Sequence, residues 1–325
     1  MTAKRMIHVA LRGALVTLVV LIVGLAGAII FGTAPAPPPL TSIGAPFAAV
    51  DYSDLPPTQT YAARDGTPLA YRTYPGGAER IAVIVHGSSA HSASLHPLAK
   101  AAQGAGYTVF TLDMRGHGAS GPHGDIAYIG QLDNDIADLM ALLRKNFPNA
   151  RATLMGFSSG GGFALRIAGA PDGGPFDRYI LISPALPHNA PTIRPGTGGW
   201  AVPYIPRIVA LTILNKIGIH WFDGLPVLAF AVRANDDGTF VANYSFRLMQ
   251  NFAAMADFRD NIRRVTKPTT VLVGSADELF FADQFTPLFQ SIRTDIPITV
   301  IPKLGHTEMS VRPEALAAIT AALAG

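Results

Sequence analysis

The chain of 325 residues, 49% of them apolar, is long enough for one large α/β domain or two small ones with a sizeable core. It carries 25 Lys and Arg against 22 Asp and Glu, but three of the basic residues precede residue 13 and the first acidic residue is Asp51. The remainder is electrically balanced, which removes the electrostatic case for binding a nucleic-acid backbone. The absence of cysteine excludes disulfides, thiol nucleophiles and cysteine metal sites.

Residues 13–32 form an uncharged, apolar stretch long enough to cross a bilayer as a helix. Lys4, Arg5 and Arg12 precede it, and the next basic residue is Arg64. By the positive-inside rule, residues 1–12 are expected in the cytoplasm and the rest of the chain outside it, in a periplasmic or extracellular location. A membrane anchor at 13–32 is therefore predicted.

A cleaved signal peptide is the alternative interpretation of the same stretch, because it also has a basic start and an apolar middle. The apolar run is longer than the usual core of a signal peptide, and Pro35 follows the most obvious small-residue cleavage site at 32–34. An uncleaved anchor is therefore favoured. Either interpretation places the folded domain outside the cytoplasm.

Residues 33–57 are rich in proline, which favours an extended, semi-rigid spacer between the membrane and the domain. The domain is expected to occupy residues 58–325 and to begin with two strands within 61–72, joined by a turn at Asp65 and Gly66.

Short apolar runs then alternate with segments of helical periodicity. The predicted strands are 81–85, 107–112, 152–155, 179–182, 270–273 and 298–301, and the predicted helices are 96–105, 133–145, 161–170, 282–292 and 313–323. Strands that are apolar on both faces and alternate with helices indicate an α/β fold with a mostly parallel sheet covered on both faces. In such sheets the reactive residues gather at the carboxyl ends of the strands.

The interval at about 184–264 interrupts the alternation and contains both tryptophans, Trp200 and Trp221. It is expected to be a largely helical cap inserted over the sheet. Its apolar residues either shape a substrate pocket as a lid or only pack the cap onto the sheet.

Ser158 lies in the pattern Gly-x-Ser-x-Gly directly after an apolar run. This pattern is typical of a nucleophile elbow, a sharp strand-to-helix turn that exposes a serine hydroxyl. Gly156 and Gly160 suit that turn because a side chain at either position would collide with the neighbouring strand or helix. Ser158 is therefore the candidate nucleophile.

A serine nucleophile requires a base and a group that orients the base, in the chain order Ser, Asp or Glu, His. Asp277 follows the predicted strand 270–273, and His306 follows the predicted strand 298–301. Asp277 is the expected orienting acid, although its neighbour Glu278 is an alternative and either carboxylate could instead cap the next helix. His306 is the expected general base.

The tetrahedral intermediate requires hydrogen-bond donors that are already in place. One is expected to be the backbone N–H of Ser159, directly after the nucleophile. The second is expected from the loop after strand 81–85, with the N–H of Ser88 favoured. His86 in that loop is expected to brace the backbone rather than to act as a second base.

The segment Asp-Met-Arg-Gly-His-Gly-Ala-Ser at 113–120 resembles the D-x-R-G-H-G-x-S signature of the monoacylglycerol lipase and lysophospholipase-like branch of the α/β-hydrolases, also described as serine aminopeptidase-like. The resemblance extends over about residues 58–325. It departs from the family at the Ser-Ser-Gly-Gly-Gly elbow and in the N-terminal anchor. The resemblance implies the following roles: a triad of Ser158, Asp277 and His306, oxyanion donors at Ser88 and Ser159, and loop-structuring residues at Asp113, Arg115 and His117.

The predicted function is that of a membrane-tethered serine hydrolase for carboxylic esters, with acylglycerols or lysophospholipids favoured and no metal or cofactor required. A peptidase or amidase of the same fold is the first alternative, and it would need an acidic recess for a substrate amine, to which Asp223, Asp236 and Asp237 could contribute. A non-catalytic binding protein on a hydrolase scaffold is the second, and the filled triad positions argue against it. The serine at the elbow disfavours dehalogenase chemistry, which uses aspartate.

Overall fold

The computed structural model describes residues 3–232 and 239–324, and across these ranges the chain forms eleven β-strands and ten α-helices. The strands are β1 Gln59–Ala62, β2 Pro68–Tyr74, β3 Gly77–Val85, β4 Tyr107–Leu112, β5 Arg151–Phe157, β6 Arg178–Ile182, β7 Ala201–Pro203, β8 Pro226–Phe230, β9 Asn243–Ser245, β10 Thr269–Gly274 and β11 Ile298–Ile301. The helices are α1 Ala3–Phe31, α2 Thr41–Gly44, α3 His96–Gly104, α4 Gln131–Asn146, α5 Ser159–Ala168, α6 Ile205–Lys216, α7 Phe246–Asn251, α8 Phe258–Arg264, α9 Phe285–Gln290 and α10 Pro313–Ala324.

The central sheet has the strand order β1-β2-β4-β3-β5-β6-β10-β11 within the described ranges. β1 and β2 form an antiparallel hairpin, β2 is antiparallel to β4, and all later neighbours in the sheet are parallel. Residues 81–85 of β3 and all of β4 are buried, as expected for strands covered by helices on both faces. The predicted α/β class with a mostly parallel sheet is confirmed.

The predicted helix over 282–292 is divided in the structure. A 3₁₀ turn spans Ala282–Gln284, and α9 begins only at Phe285. Pro287 has no backbone N–H to donate, so it fits within the first turn of a helix but not in its interior. The proline therefore favours a start of the α-helix close to its own position.

The cap at 184–264 is less helical than expected. Besides α6, α7 and α8 it contains the antiparallel three-stranded sheet β7-β8-β9. Two of these strands are three residues long. Strands of that length are too short for an alternating apolar pattern, so the sequence offered no signal for them.

The proline-rich segment is also more structured than an extended spacer. Residues 41–44 form α2, whose Ile43 packs against the core, and Ala45–Ala49 form a 3₁₀ turn. The Leu40 N–H donates to the Ala231 carbonyl at 3.2 Å, and the Thr307 hydroxyl donates to the Ser42 carbonyl at 3.2 Å. The proline content predicted an extended chain. It does not take into account the apolar side chains between the prolines, among which Leu40 and Ile43 pack against the core of the domain.

The N-terminal helix α1 contains a 28-residue segment, Lys4–Phe31, that is long and apolar enough to cross a membrane. At 1.5 Å per residue it spans about 40 Å. Its last turn packs against α6 of the cap, where the Arg207 guanidinium donates to the carbonyl oxygens of Ile29 at 2.8 Å and Ile30 at 3.3 Å. These carbonyls have no partners within the helix, so Arg207 caps its carboxyl end.

Candidate active site

The nucleophile elbow lies between β5 and α5, with Ser158 at the turn. The Ser158 backbone has φ of 55° and ψ of −118°, a conformation that side chains rarely adopt. A Cβ atom on Gly156 would lie 2.1 Å from the Gly160 carbonyl oxygen, and one on Gly160 would lie 2.4 Å from the His86 carbonyl oxygen. Both glycines are therefore required by close backbone approach, as the sequence indicated, and together they hold Ser158 in its strained turn.

Three loops at the carboxyl ends of β5, β10 and β11 bring Ser158, Asp277 and His306 together. His306 Nε2 is 2.9 Å from Ser158 Oγ, and His306 Nδ1 is 2.8 Å from Asp277 Oδ2. The three residues are at most 5% exposed. A hydroxyl, an imidazole and a carboxylate in this order can move a proton away from an attacking serine.

The Asp277 carboxylate is held from both sides. Its Oδ1 atom accepts hydrogen bonds from the N–H groups of Leu279 and Phe280, each at 2.9 Å. Burial raises the pKa of Asp277, but the neighbouring His306 and these two N–H groups outweigh burial, so its pKa lies below the ordinary value. The carboxylate is therefore ionised at neutral pH, the form that orients an imidazole.

Glu278, the alternative acid, contacts the histidine differently. Its Oε2 atom accepts a hydrogen bond from the backbone N–H of His306 at 2.8 Å. The two adjacent carboxylates thus divide their contacts: Asp277 contacts the imidazole ring, and Glu278 braces the backbone that carries it.

Ser159 and Ser88, the expected oxyanion donors, both lie in segments next to Ser158. Ser159 is the first residue of α5, so its N–H has no carbonyl partner within the helix. Ser88 follows Gly87, where an added Cβ would lie 3.1 Å from Ser158 Cβ. The loop after β3 therefore passes directly beside Ser158. The Ser88 side chain accepts a hydrogen bond from Trp200 Nε1 at 2.8 Å, a contact between loop and cap that the sequence did not predict.

His86 is fully buried beneath this loop with both ring nitrogens engaged. Nδ1–H donates to the Gly87 carbonyl at 2.7 Å, and Nε2 accepts from the Met114 N–H at 3.2 Å. Burial lowers the pKa of His86 to about 4. A neutral ring with both nitrogens occupied braces the loop, as expected, and leaves no free nitrogen for a substrate.

His117 braces the same loop through a tyrosine of the cap. The Tyr244 hydroxyl accepts from the Ser89 N–H at 2.8 Å, so its own proton donates to His117 Nε2 at 2.5 Å. Ser89 has φ of 68°, an unfavourable value that this network holds. Sequence reasoning missed Tyr244, because a tyrosine in the cap carries no motif of its own.

Asp113 and Arg115 complete the bracing of the signature segment. Asp113 accepts from the backbone N–H groups of Ser92 at 2.7 Å and Ala119 at 2.9 Å. The Arg115 guanidinium binds Asp135 with two bonds of 2.8 Å and also contacts Asp65 in the β1–β2 turn. These side chains thus join the signature segment to neighbouring loops and to α4, and no residue of 113–120 is among those that line the cavity.

A cavity of about 670 Å³ opens above Ser158 and His306, a volume within the range of small-molecule pockets. Its walls are mostly apolar, and no carboxylate occurs among the described residues that line it. Asp223, one of the three candidates for an acidic recess, is buried elsewhere in the cap against Asn215 and His220. Asp236 and Asp237 lie outside the described residues. Across the described ranges, no group of three or more His, Asp or Glu is placed to hold a metal.

Comparison with known proteins agrees with this architecture. The model of the family described as serine aminopeptidase, S33, matches residues 76–310. The 2-(acetamidomethylene)succinate hydrolase of Mesorhizobium japonicum is 26% identical over 75% of this chain and 88% of its own length. Human monoglyceride lipase is 31% identical over 45% of this chain, and the match spans about half (49%) of the human enzyme.

Solved structures show the same fold. The monoacylglycerol lipase of Paleococcus ferrophilus superposes with a TM-score of 0.56 at 20% identity, over 78% of this chain and 97% of that protein. A soluble variant of monoglyceride lipase from Saccharomyces cerevisiae gives a TM-score of 0.58 at 17% identity, over 82% of this chain and 93% of that protein. The chain therefore has the α/β-hydrolase fold expected from its signature segment.

Proposed function

This chain belongs to the serine aminopeptidase family, S33, whose model covers well over half of its length, and on that basis we propose that it is a serine hydrolase of carboxylic esters. The observation that carries the proposal is the continuous hydrogen-bonded series Ser158, His306 and Asp277 at the floor of an apolar cavity. Hydrolases and lipases among the relatives support the general class.

In the proposed acylation step, Ser158 Oγ attacks the ester carbonyl carbon while His306 Nε2 takes the hydroxyl proton. The resulting oxyanion accepts hydrogen bonds from the N–H groups of Ser88 and Ser159. The intermediate then collapses, the C–O bond to the alcohol breaks, and the leaving oxygen takes the proton from His306. Asp277 keeps the imidazole in the tautomer that presents Nε2 to the serine and stabilises the imidazolium that forms.

Deacylation repeats these steps with water as the nucleophile. His306 takes a proton from the water, whose oxygen attacks the acyl carbon of the ester on Ser158. Collapse of the second tetrahedral intermediate returns the proton to Ser158 Oγ and releases the carboxylic acid. The sequence of steps uses no metal or cofactor.

The proposed substrates are lipid esters of the acylglycerol or lysophospholipid type. The mostly apolar walls of the cavity favour a hydrocarbon chain, and several relatives are described as monoglyceride or monoacylglycerol lipases. A peptidase acting at a free amino terminus would need a carboxylate to bind the substrate's ammonium group. The described walls of the cavity are mostly apolar, which suits the acyl chain of an ester.

We further propose that α1 is an uncleaved anchor, with its amino terminus in the cytoplasm and the hydrolase domain outside. The contact between Arg207 and the end of α1 supports a fixed attachment of the helix to the cap. The cap helix α6 beside it exposes Ile205, Val209 and Ile213 at four-residue spacing, an apolar stripe suited to a bilayer surface. Mass spectrometry of the membrane fraction would detect peptides from residues 13–32 if the anchor is retained and would lack them if it is cleaved.

The experiment that tests the catalytic proposal labels the full-length protein in detergent with a fluorophosphonate probe. We expect wild-type protein to be labelled and Ser158→Ala to remain unlabelled. Ser159→Ala is the matched control, because it removes the neighbouring hydroxyl but keeps the backbone N–H, and it should be labelled like wild type.

Substrate assays then separate the alternatives. Hydrolysis of p-nitrophenyl esters without hydrolysis of aminoacyl p-nitroanilides supports the esterase, and the reverse result supports the peptidase. Folded wild-type protein that takes no label and cleaves neither substrate would favour a binding protein and reject the proposal.

A further inference from the structure

The segment between the membrane helix and the domain lies across the outer side of the active-site cavity. We refer to residues 40–55 as the tether segment. Six of its residues line the same cavity as Ser158 and His306: Leu40, Ile43, Gly44, Phe47, Tyr52 and Leu55. The cavity is therefore enclosed in part by the chain that precedes the hydrolase domain.

The first half of the tether segment is attached to the cap and to the loop that carries the histidine. The Leu40 N–H donates to the Ala231 carbonyl in the cap, directly after β8. The Ser42 carbonyl accepts from the hydroxyl of Thr307, the residue after His306. The segment thus crosses from the cap to the rim of the site, within one residue of the proposed base.

The second half of the tether segment is attached to α3 and to β2 of the central sheet. The Asp54 carboxylate contacts His96 Nε2 at 3.0 Å and Lys100 Nζ at 2.5 Å, both on α3. The Arg72 guanidinium donates to the carbonyl of Pro56, directly after the segment. Contacts at both ends hold the segment in one place over the cavity.

Between these attachments, the apolar side chains share one side of the segment. Leu40 directly precedes α2 in an extended conformation, Ile43 lies in α2, and Phe47 lies in the 3₁₀ turn that follows. All three are half-buried and line the cavity, whereas Ala48 and Ala49 are exposed. The same cavity is also lined by apolar groups outside the segment, among them Trp200 of the cap and Leu279 after β10.

We propose that the tether segment is the outer wall of the substrate site and determines which hydrocarbon chain lengths the enzyme accepts. The proposal rests on the proposed ester hydrolysis at Ser158. A short acyl group occupies only the floor beside Ser158, whereas a long chain must pass along Leu40, Ile43 and Phe47. The membrane helix would then do more than localise the enzyme, because the segment it continues into forms part of the pocket.

The test compares acyl-chain profiles of full-length variants in detergent, using p-nitrophenyl acetate, octanoate and dodecanoate. Phe47→Ala and Ile43→Ala remove wall side chains. Val50→Ala is the matched control, because Val50 is half-buried in the same segment but does not line the cavity. We expect kcat/KM of Phe47→Ala to fall about tenfold for dodecanoate while the value for acetate stays within about twofold, because each lost apolar contact weakens binding only of chains that reach it.

The outcomes separate this proposal from the proposed function. If wild-type protein is not labelled by a fluorophosphonate and cleaves no ester, the proposed function fails first. If it is active but Phe47→Ala and Ile43→Ala follow the profile of Val50→Ala at all three lengths, the tether segment is no wall and the inference is wrong. Loss of acetate hydrolysis in both variants would also overturn it, because the segment would then be required for folding or catalysis in general.

Discussion

The Tyr244→Phe substitution tests how the cap supports the loop after β3, which carries Ser88, one of the proposed oxyanion donors. Phenylalanine keeps the ring, which packs against Phe230 and His117, and removes only the hydroxyl. That hydroxyl is the hydrogen-bond partner of both the Ser89 N–H and His117 Nε2. Burial raises the pKa of Tyr244, so the hydroxyl stays protonated and remains a donor throughout the pH range of an assay.

The expected magnitude follows from the groups that lose their partner. Ser89 and His117 are fully buried, and an unsatisfied buried polar group costs about 1–3 kcal/mol. We therefore expect the free energy of unfolding to fall by about 2–6 kcal/mol. Removing an oxyanion donor outright lowers kcat by about 10²–10³. When Ser89 shifts, the neighbouring Ser88 N–H is displaced but not lost, so we expect kcat to fall by about tenfold to a hundredfold. KM should change little, because the cavity walls are unaltered.

The assay combines urea denaturation with ester hydrolysis and the rate of fluorophosphonate labelling. The rate of labelling should fall together with kcat, because the phosphonate oxygen accepts hydrogen bonds from the same N–H groups as the oxyanion. Tyr204→Phe is the control: it makes the same chemical change in the cap, but its hydroxyl lies 3.5 Å from Asn243 Oδ1, at the limit of a hydrogen bond. If Tyr244→Phe keeps wild-type kcat and labelling rate, the hydroxyl does not position the loop and the reasoning is wrong.

Two further predictions concern the acid and the buried histidine. Asp277→Asn should lower kcat for ester hydrolysis by about 10⁴, because the amide favours the wrong tautomer of His306. Glu278→Gln keeps an acceptor for the His306 N–H, so its kcat should stay within about tenfold of wild type. Equal losses in the two variants would reject the different roles of the two carboxylates. Folding lowers the pKa of His86 from about 6.5 to about 4, so the unfolded chain binds the proton more readily than the folded chain. The contribution of His86 to the free energy of unfolding is therefore fully present above pH 6.5 and is lost at about 1.4 kcal/mol per pH unit as the pH falls toward 4. Urea denaturation at pH 7 and pH 5 should show this decline in wild type and a smaller one in His86→Gln; an equal decline in both would contradict the assignment.

The central sheet could be predicted from sequence because its signals are local. The runs at 107–112 and 298–301 are apolar and β-branched over a strand's length, and the structure has β4 and β11 at the same residues. The elbow is equally local: Gly156 and Gly160 are needed by atoms within or next to the turn. The roles of Ser158, Asp277 and His306 were predicted from their positions at strand ends, and the structure brings their side chains within hydrogen-bond distance; their catalysis stays a prediction.

Only the tertiary structure shows which distant residues complete and support the site. Ser89 and its partner Tyr244 are 155 positions apart, and Ser88 and Trp200 are 112 apart. No periodicity or short motif links such residues, because their contact depends on how the cap settles over the sheet. The tether segment is the same case: its proline content predicted an extended spacer, yet half-buried side chains and contacts at both ends place it on the cavity. Local sequence determined the strands, the elbow and the order of the reactive residues, whereas packing between distant segments determined the walls of the pocket and the bracing of its loop.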